Sequence, residues 1–158
     1  MGKIILTPFL IRLISTFFYL GYLPFIPGTY GSIAGLLLFC LIKGDTSLSI
    51  FFVLSSALTG FLVCGEAEKI FNKKDCRYIV IDEVCGMLLS FLFIPFDVKF
   101  LIIGFLLFRL LDTLKPFPAG RLQGLKGSIG VMSDDIVAGL YTNIMLQVVL
   151  RFISFKAS

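Results

Sequence analysis

Along the two apolar runs that begin at Phe100 and Ile136, and in the loop between them, the chain gathers Arg109, Asp112, Lys115, Arg121, Lys126, Asp134 and Asp135. Charge in or beside hydrocarbon costs several kcal/mol unless it is paired, hydrated or bound to an ion. This juxtaposition restricts the fold more than any other feature. The apolar segments have to be arranged so that the charges meet one another at a membrane surface. A mixture of carboxylates and cations suits a metal ion together with a phosphate.

The remainder of the chain agrees with a bilayer setting. Apolar residues make up 58% of it and the mean hydropathy is +1.00, well outside the soluble norm, so an all-α, multi-helical integral membrane bundle is expected. A length of 158 residues fits one domain, 1–158. The net charge of +4 is modest and dispersed, which argues against nucleic acid as a partner and for an anionic membrane face. The absence of histidine excludes a Ser-His-Asp triad, a His-ligated zinc and a phosphohistidine intermediate. Cys40, Cys64, Cys76 and Cys85 have no metal-binding spacing and read as reduced thiols.

Residues Ile4 to Leu23 are apolar apart from Arg12, and form either a first crossing or a helix lying at the interface. Lys3 before an apolar run resembles a signal peptide, but Arg12 and the lack of a small-x-small cleavage site indicate a retained segment. Pro24 and Pro27 break the next stretch, and Thr29 or Ser32 is expected to cap an apolar helix over Ile33 to Ile42. Such a capped start, flanked by Gly28 and Gly31, offers free N–H groups to an anion. Further crossings are expected at 47–65, 80–94, 98–114 and 136–152, with Ser133 capping the last. The 47–65 helix continues outward through Glu66 and Lys69 to Phe71; these two read as a surface pair, with a metal-facing role as the alternative for Glu66.

Within these segments Asp82 and Glu83 stand side by side in an apolar run, about 100° apart on a helix, so both can border one cavity. Gly86 follows Asp82 by one turn and permits close approach of a backbone or ligand, and Gly139 stands one turn after Asp135. Arg109 and Asp112 share a helix face, and Lys115 before Pro116 ends that helix. The glycine-rich loop from Pro116 to Met132 suits contact with a polar headgroup. In this crossing order the Pro-Gly-Thr turn, residues 66–83 and residues 109–135 fall on one face. That face carries Lys69, Lys73, Lys74, Arg77, Arg109, Lys115, Arg121 and Lys126, against Lys43, Lys99, Arg151 and Lys156 on the other. The positive-inside rule makes the crowded face cytoplasmic.

Carboxylates without histidine or cysteine companions favour a hard cation, above all Mg²⁺, with Asp82, Glu83, Asp112, Asp134 and Asp135 as candidate ligands. Arg109, Lys115, Thr29 and the N–H groups near Gly28 and Gly31 are candidate phosphate donors. Such an ion would polarise a phosphoryl group and position a water, whose proton Glu83 is placed to accept. The sequence lacks the Cys-x₅-Arg loop, the D-x-D triplet and the D-x-x-D-G pattern of other phosphoryl-transfer enzymes.

Pro27-Gly-Thr-Tyr-Gly-Ser32, Ile79-Val-Ile-Asp-Glu-Val-Cys-Gly86, Phe108-Arg-Leu-Leu-Asp-Thr-Leu-Lys-Pro-Phe-Pro118 and Gly130-Val-Met-Ser-Asp-Asp-Ile-Val-Ala-Gly139 together resemble the motif set of bacterial phosphatidylglycerophosphatase A. The likeness runs from about Gly21 to Tyr141 in the family's order and spacing. It implies Mg²⁺-dependent removal of the terminal phosphate of phosphatidylglycerophosphate, giving phosphatidylglycerol. It also implies a helical fold at the bacterial inner membrane packed around a central helix. The five acids named above stand at the family's motif acids, and Thr29, Arg109 and Lys115 at its polar motif positions. The apolar runs argue against the family's soluble branch. The expected partners are therefore a phospholipid substrate and membrane lipids, with self-association into a homo-oligomer left open. A small divalent-cation transporter built on the same acids is the alternative; it requires them near the bilayer midplane.

Overall fold

A computed structural model describes the backbone of residues 6–157 and the side chains of residues 6–152. Lys3 and Ile4 of the N-terminal reading, and the Lys156 side chain, lie outside the described residues. Among the described residues every regular element is helical: α1 (Pro8–Ser15), a 3-10 turn (Leu20–Tyr22), α2 (Pro27–Leu41), α3 (Thr46–Phe71), α4 (Ile81–Ser90), α5 (Val98–Leu114), α6 (Ala119–Leu122) and α7 (Ser128–Ala157).

The short helix α4 is the axis of the bundle. Ile81, Asp82, Val84, Cys85, Gly86, Met87, Leu88 and Ser90 are all buried, with α2, α3, α5 and α7 around them. One apolar core, including Phe39, Met87, Phe91, Phe108 and Leu146, fills one flank. A second, including Val63, Cys64, Ile79, Cys85 and Met132, fills the other. The first residues of α4 are tied to α1 where the Val80 N–H donates to the Ser15 carbonyl at 2.9 Å. Its far end is held by Asn143 of α7, whose Nδ2 donates to the carbonyls of Ser90 at 3.1 Å and Leu92 at 2.7 Å. Asn143 thus satisfies carbonyls that a helix C-terminus otherwise leaves unpaired.

Two helices, α3 and the Ser128–Phe152 part of α7, are long and apolar enough to cross a membrane. Both stay largely uncovered, and Leu54, Leu58, Ile144, Val148 and Phe152 are exposed, as lipid-facing side chains would be. The expected crossing over 80–94 is not formed. The helix there stops at Ser90, and its ten residues extend only about 15 Å, half of a bilayer's ~30 Å hydrocarbon thickness. Its apolar flanks come from enclosure by other helices. Helix α1, with eight residues, is likewise too short to cross, which removes the first-crossing alternative for the described part of that segment.

Two boundaries also move. Helix α2 begins at Pro27, whose ring is pre-set for a first helical position, so Thr29 and Ser32 lie inside it rather than capping it. Helix α7 begins at Ser128, so Ser133, Asp134 and Asp135 sit in its second turn and residues 128–132 are not loop. Asp45 caps α3, accepting from the Leu48 N–H at 2.9 Å, and Asp97 caps α5, accepting from the Lys99 N–H at 2.8 Å.

Candidate active site

Helices α4 and α7 meet backbone to backbone. A Cβ added at Gly86 would lie 2.6 Å from the Asp135 carbonyl oxygen, and one added at Gly139 would strike the backbone of Gly86. Only glycine at both positions allows this approach. Asp82 lies one turn before Gly86, and Asp135 one turn before Gly139, so the close crossing carries the two acids to each other. Asp82, Glu83 and Asp135 then offer carboxylate oxygens all within 4.8 Å of one another. Asp112, Asp134 and Asp135 form a second such group, and Asp135 belongs to both.

Asp112 arrives from the last turn of α5. Arg109, on the same face, donates to its Oδ2 at 2.7 Å and to Ser32 Oγ of α2 at 3.3 Å. Lys115 ends α5 in a left-handed conformation, φ 45°, immediately before Pro116. Its ammonium pairs with Asp134 and lies 3.5 Å from Asp112 Oδ1. Burial opposes charge on Lys115, but the hydrogen bond to Asp134 and the charges of Asp134, Asp112 and Asp135 hold its ammonium above the ordinary lysine range.

Helix α2 closes the other side. At Gly28 an added Cβ would overlap Glu83 Oε1 and lie 3.6 Å from the Arg109 guanidinium; at Gly31 it would lie 3.2 Å from Glu83 Cβ. Both glycines therefore let α2 pack onto Glu83. The N–H groups of Thr29 and Tyr30 donate to the Ile26 carbonyl at 3.0 and 3.3 Å, so of the expected amide donors Gly28 is the one at the helix rim. Thr29 is half-buried in the first turn of α2. Glu66 is not part of this assembly: it is exposed and paired with Lys69 at 2.7 Å. Ser32, expected only as a cap, instead orients Arg109 by accepting from it.

The five acids and two cations lie at one end of the bundle. Asp82, Asp134 and Asp135 are 7%, 6% and 3% exposed, yet Asp134 Oδ1, Asp135 Oδ1 and Glu83 Oε2 have no hydrogen-bond partner. Three buried, unpartnered carboxylate oxygens in one cluster could be satisfied by a bound cation. The donor set is all oxygen, which fits a hard divalent ion such as Mg²⁺. The buried Cys64, Cys76 and Cys85 stand outside both acid groups.

Comparison with known proteins places this arrangement in a family. The family profile described as phosphatidylglycerophosphatase A matches residues 13–150. A Bacteroides thetaiotaomicron protein, provisionally named phosphatidylinositol-3-phosphatase, is 32% identical over 149 residues, covering 89% of this chain and 93% of that protein. Phosphatidylglycerophosphatase A of Haemophilus influenzae is 31% identical, covering 86% of each chain. Phosphatidylglycerophosphatase A of Escherichia coli is 33% identical, covering 82% of this chain and 77% of that protein. No solved structure matches. With the family profile covering most of the chain, and the motif acids drawn together at one end of a helical bundle, the chain belongs to the phosphatidylglycerophosphatase A family of lipid phosphatases.

Proposed function

We propose that this protein hydrolyses phosphatidylglycerophosphate to phosphatidylglycerol and inorganic phosphate, with Mg²⁺ as cofactor, at the cytoplasmic face of the bacterial inner membrane. The observation that carries the reading is the meeting of Asp82, Glu83, Asp112, Asp134 and Asp135 with Arg109 and Lys115 in one partly open cluster.

Each residue has a task that follows from its surroundings. Asp82, Glu83, Asp112, Asp134 and Asp135 are the ligands available to the metal. Bound there, Mg²⁺ would supply charge stabilisation at the phosphoryl oxygens and would make the attacking water more acidic. Arg109, oriented by Ser32 and Asp112, keeps guanidinium N–H groups for a phosphate oxygen. Lys115 adds a second positive charge on the same side. Glu83, with Oε2 unpartnered, is placed to take the proton of the attacking water. The water oxygen bonds to phosphorus, the ester bond to glycerol breaks, and the departing oxygen takes up a proton. The acyl chains remain in the lipid beside the exposed apolar faces of the helices.

The positive-inside rule supports the cytoplasmic orientation, because Lys73, Lys74, Arg121 and Lys126 surround the end that holds the acids. Lys74 Nζ donates to the Gly124 carbonyl at 3.0 Å and Gln123 Nε2 to Asp75 Oδ2 at 2.7 Å, which joins the two basic loops at that end. The acids cluster at helix ends rather than along a path between both faces, which favours an enzyme over a cation transporter. The Bacteroides relative's name supports a second reading, a phosphoinositide as the phosphomonoester.

The test is phosphate release by purified protein from a panel of phosphatidylglycerophosphate, phosphatidylinositol-3-phosphate and phosphatidic acid. Release should depend on Mg²⁺, stop in chelator, and be lost in Asp82→Asn and Asp135→Asn with helical content unchanged. Full activity in chelator would reject the metal-dependent mechanism, and preference for the inositol lipid would move the assignment to the second reading. Ion flux without phosphate release would favour the transporter.

A further inference from the structure

We propose that the cluster binds two divalent cations, bridged by the carboxylate of Asp135. The inference rests on the metal-dependent reading above and deepens it. Two ligands of one octahedral Mg²⁺ stand at most about 4.2 Å apart, twice its ~2.1 Å bond length. Even at the looser limit of 4.8 Å the five acids do not form one group. They form two, Asp82 with Glu83 and Asp112 with Asp134, joined only through Asp135. A single ion can therefore engage one group and leaves the other unmet.

The unpartnered oxygens are distributed in the same way. Glu83 Oε2 belongs to the first group and Asp134 Oδ1 to the second. Asp135, 3% exposed, has an unpartnered Oδ1 and is common to both. One ion could satisfy the oxygens of one side, and the buried oxygen on the other side would remain orphaned.

Charge gives an independent reason. Five carboxylates face two cations, Arg109 and Lys115, leaving three negative charges in excess. One divalent ion leaves the site negative, which repels a phosphomonoester carrying a charge near −2. Two divalent ions make it positive and attractive to that dianion. Pairs of metal ions clamp the attacking and leaving oxygens in many phosphoryl-transfer sites.

The groups differ in one respect that predicts the order of filling. The ammonium of Lys115 already lies among Asp112 and Asp134, whereas none of the ion pairs among the described residues involves Asp82, Glu83 or Asp135. The first ion enters the Asp82–Glu83–Asp135 side, and the second follows, because it must enter at Asp134 Oδ1 beside the Lys115 ammonium that already holds Asp134 Oδ2.

Mn²⁺ titration of the detergent-purified full chain, followed by electron paramagnetic resonance, tests this. Two Mn²⁺ per chain should bind in two steps, and a spin-coupled spectrum should appear with the second. Asp82→Asn, with folding checked by circular dichroism, should keep one uncoupled ion. Saturation at one ion per chain, or two ions without coupling in the unaltered protein, would overturn the bridged pair. If one ion binds and Mg²⁺-dependent phosphate release persists, the pair fails and the phosphatase reading stands. If no ion binds and activity continues in chelator, both fail.

Discussion

At Asp135 a carboxylate only 3% exposed joins two acid groups while one of its oxygens lacks a partner, a setting in which a bound cation would offset the burial of its charge. Asp135→Asn removes the charge but keeps the shape. It should lower kcat/KM by about 10³-fold or more, the scale on which removal of a principal transition-state electrostatic contact acts, without lowering the melting temperature. A large loss of stability with activity retained per folded molecule would contradict a catalytic role. Gly28→Ala tests the opposite wall. The added methyl would overlap Glu83 Oε1 and force that side chain to move. A displacement of about 1 Å at a catalytic group costs on the order of 10²-fold, so kcat should fall steeply while KM and unfolding temperature change little. Steady-state kinetics beside a thermal melt separates these outcomes.

Among the elements, the crossing of α4 and α7 decides whether the acids meet. Gly139→Ala would drive a methyl into the backbone of Gly86, which a flexible side chain cannot relieve. Overpacking of this kind costs about 1–3 kcal/mol. Thermal denaturation in detergent should reveal the loss, and metal binding should weaken in the molecules that stay folded. Asn143→Leu probes the far end of α4. It leaves the Ser90 and Leu92 carbonyls without their donor, a penalty of about 1–3 kcal/mol. Because Asn143 is remote from the acids, activity per folded molecule should remain within a few-fold of the unaltered protein. Neither Asn143 nor the Ser32–Arg109 contact was signalled by the sequence: a single Asn in an apolar run and a Ser near a turn have many uses, and only their neighbours distinguish them.

For the whole molecule, orientation is open to direct measurement. Lys73→Cys and Lys99→Cys lie at opposite ends in the proposed topology. The native thiols of Cys64, Cys76 and Cys85 are buried, which lowers the labelling background. In intact cells, a membrane-impermeant maleimide should label the cysteine at position 99 and not the one at 73, and inverted vesicles should reverse the pattern. Labelling of both from one side would reject the arrangement. The turn at Lys43–Asp45 sits near Phe96, with Gly44 at φ +70° and an added Cβ 3.4 Å from Phe96 Cβ, so the two turns assigned to the sparsely charged face are neighbours.

The sequence by itself determined the helical class, the polar turns and the identity of the acids. Apolar runs require internal backbone hydrogen bonding, and proline, glycine and aspartate mark where those runs stop. The helix end at Lys115 was legible because its signal, the proline that follows, acts within a residue. The role of the 80–94 segment was not legible: an apolar run enclosed by protein and one bathed in lipid read alike. Only the tertiary structure decided that α4 is a short buried axis rather than a span, and that Gly86 against Gly139 brings Asp82 to Asp135. Those outcomes depend on the approach of two backbones distant along the chain, and periodicity within either helix carries no information about the other.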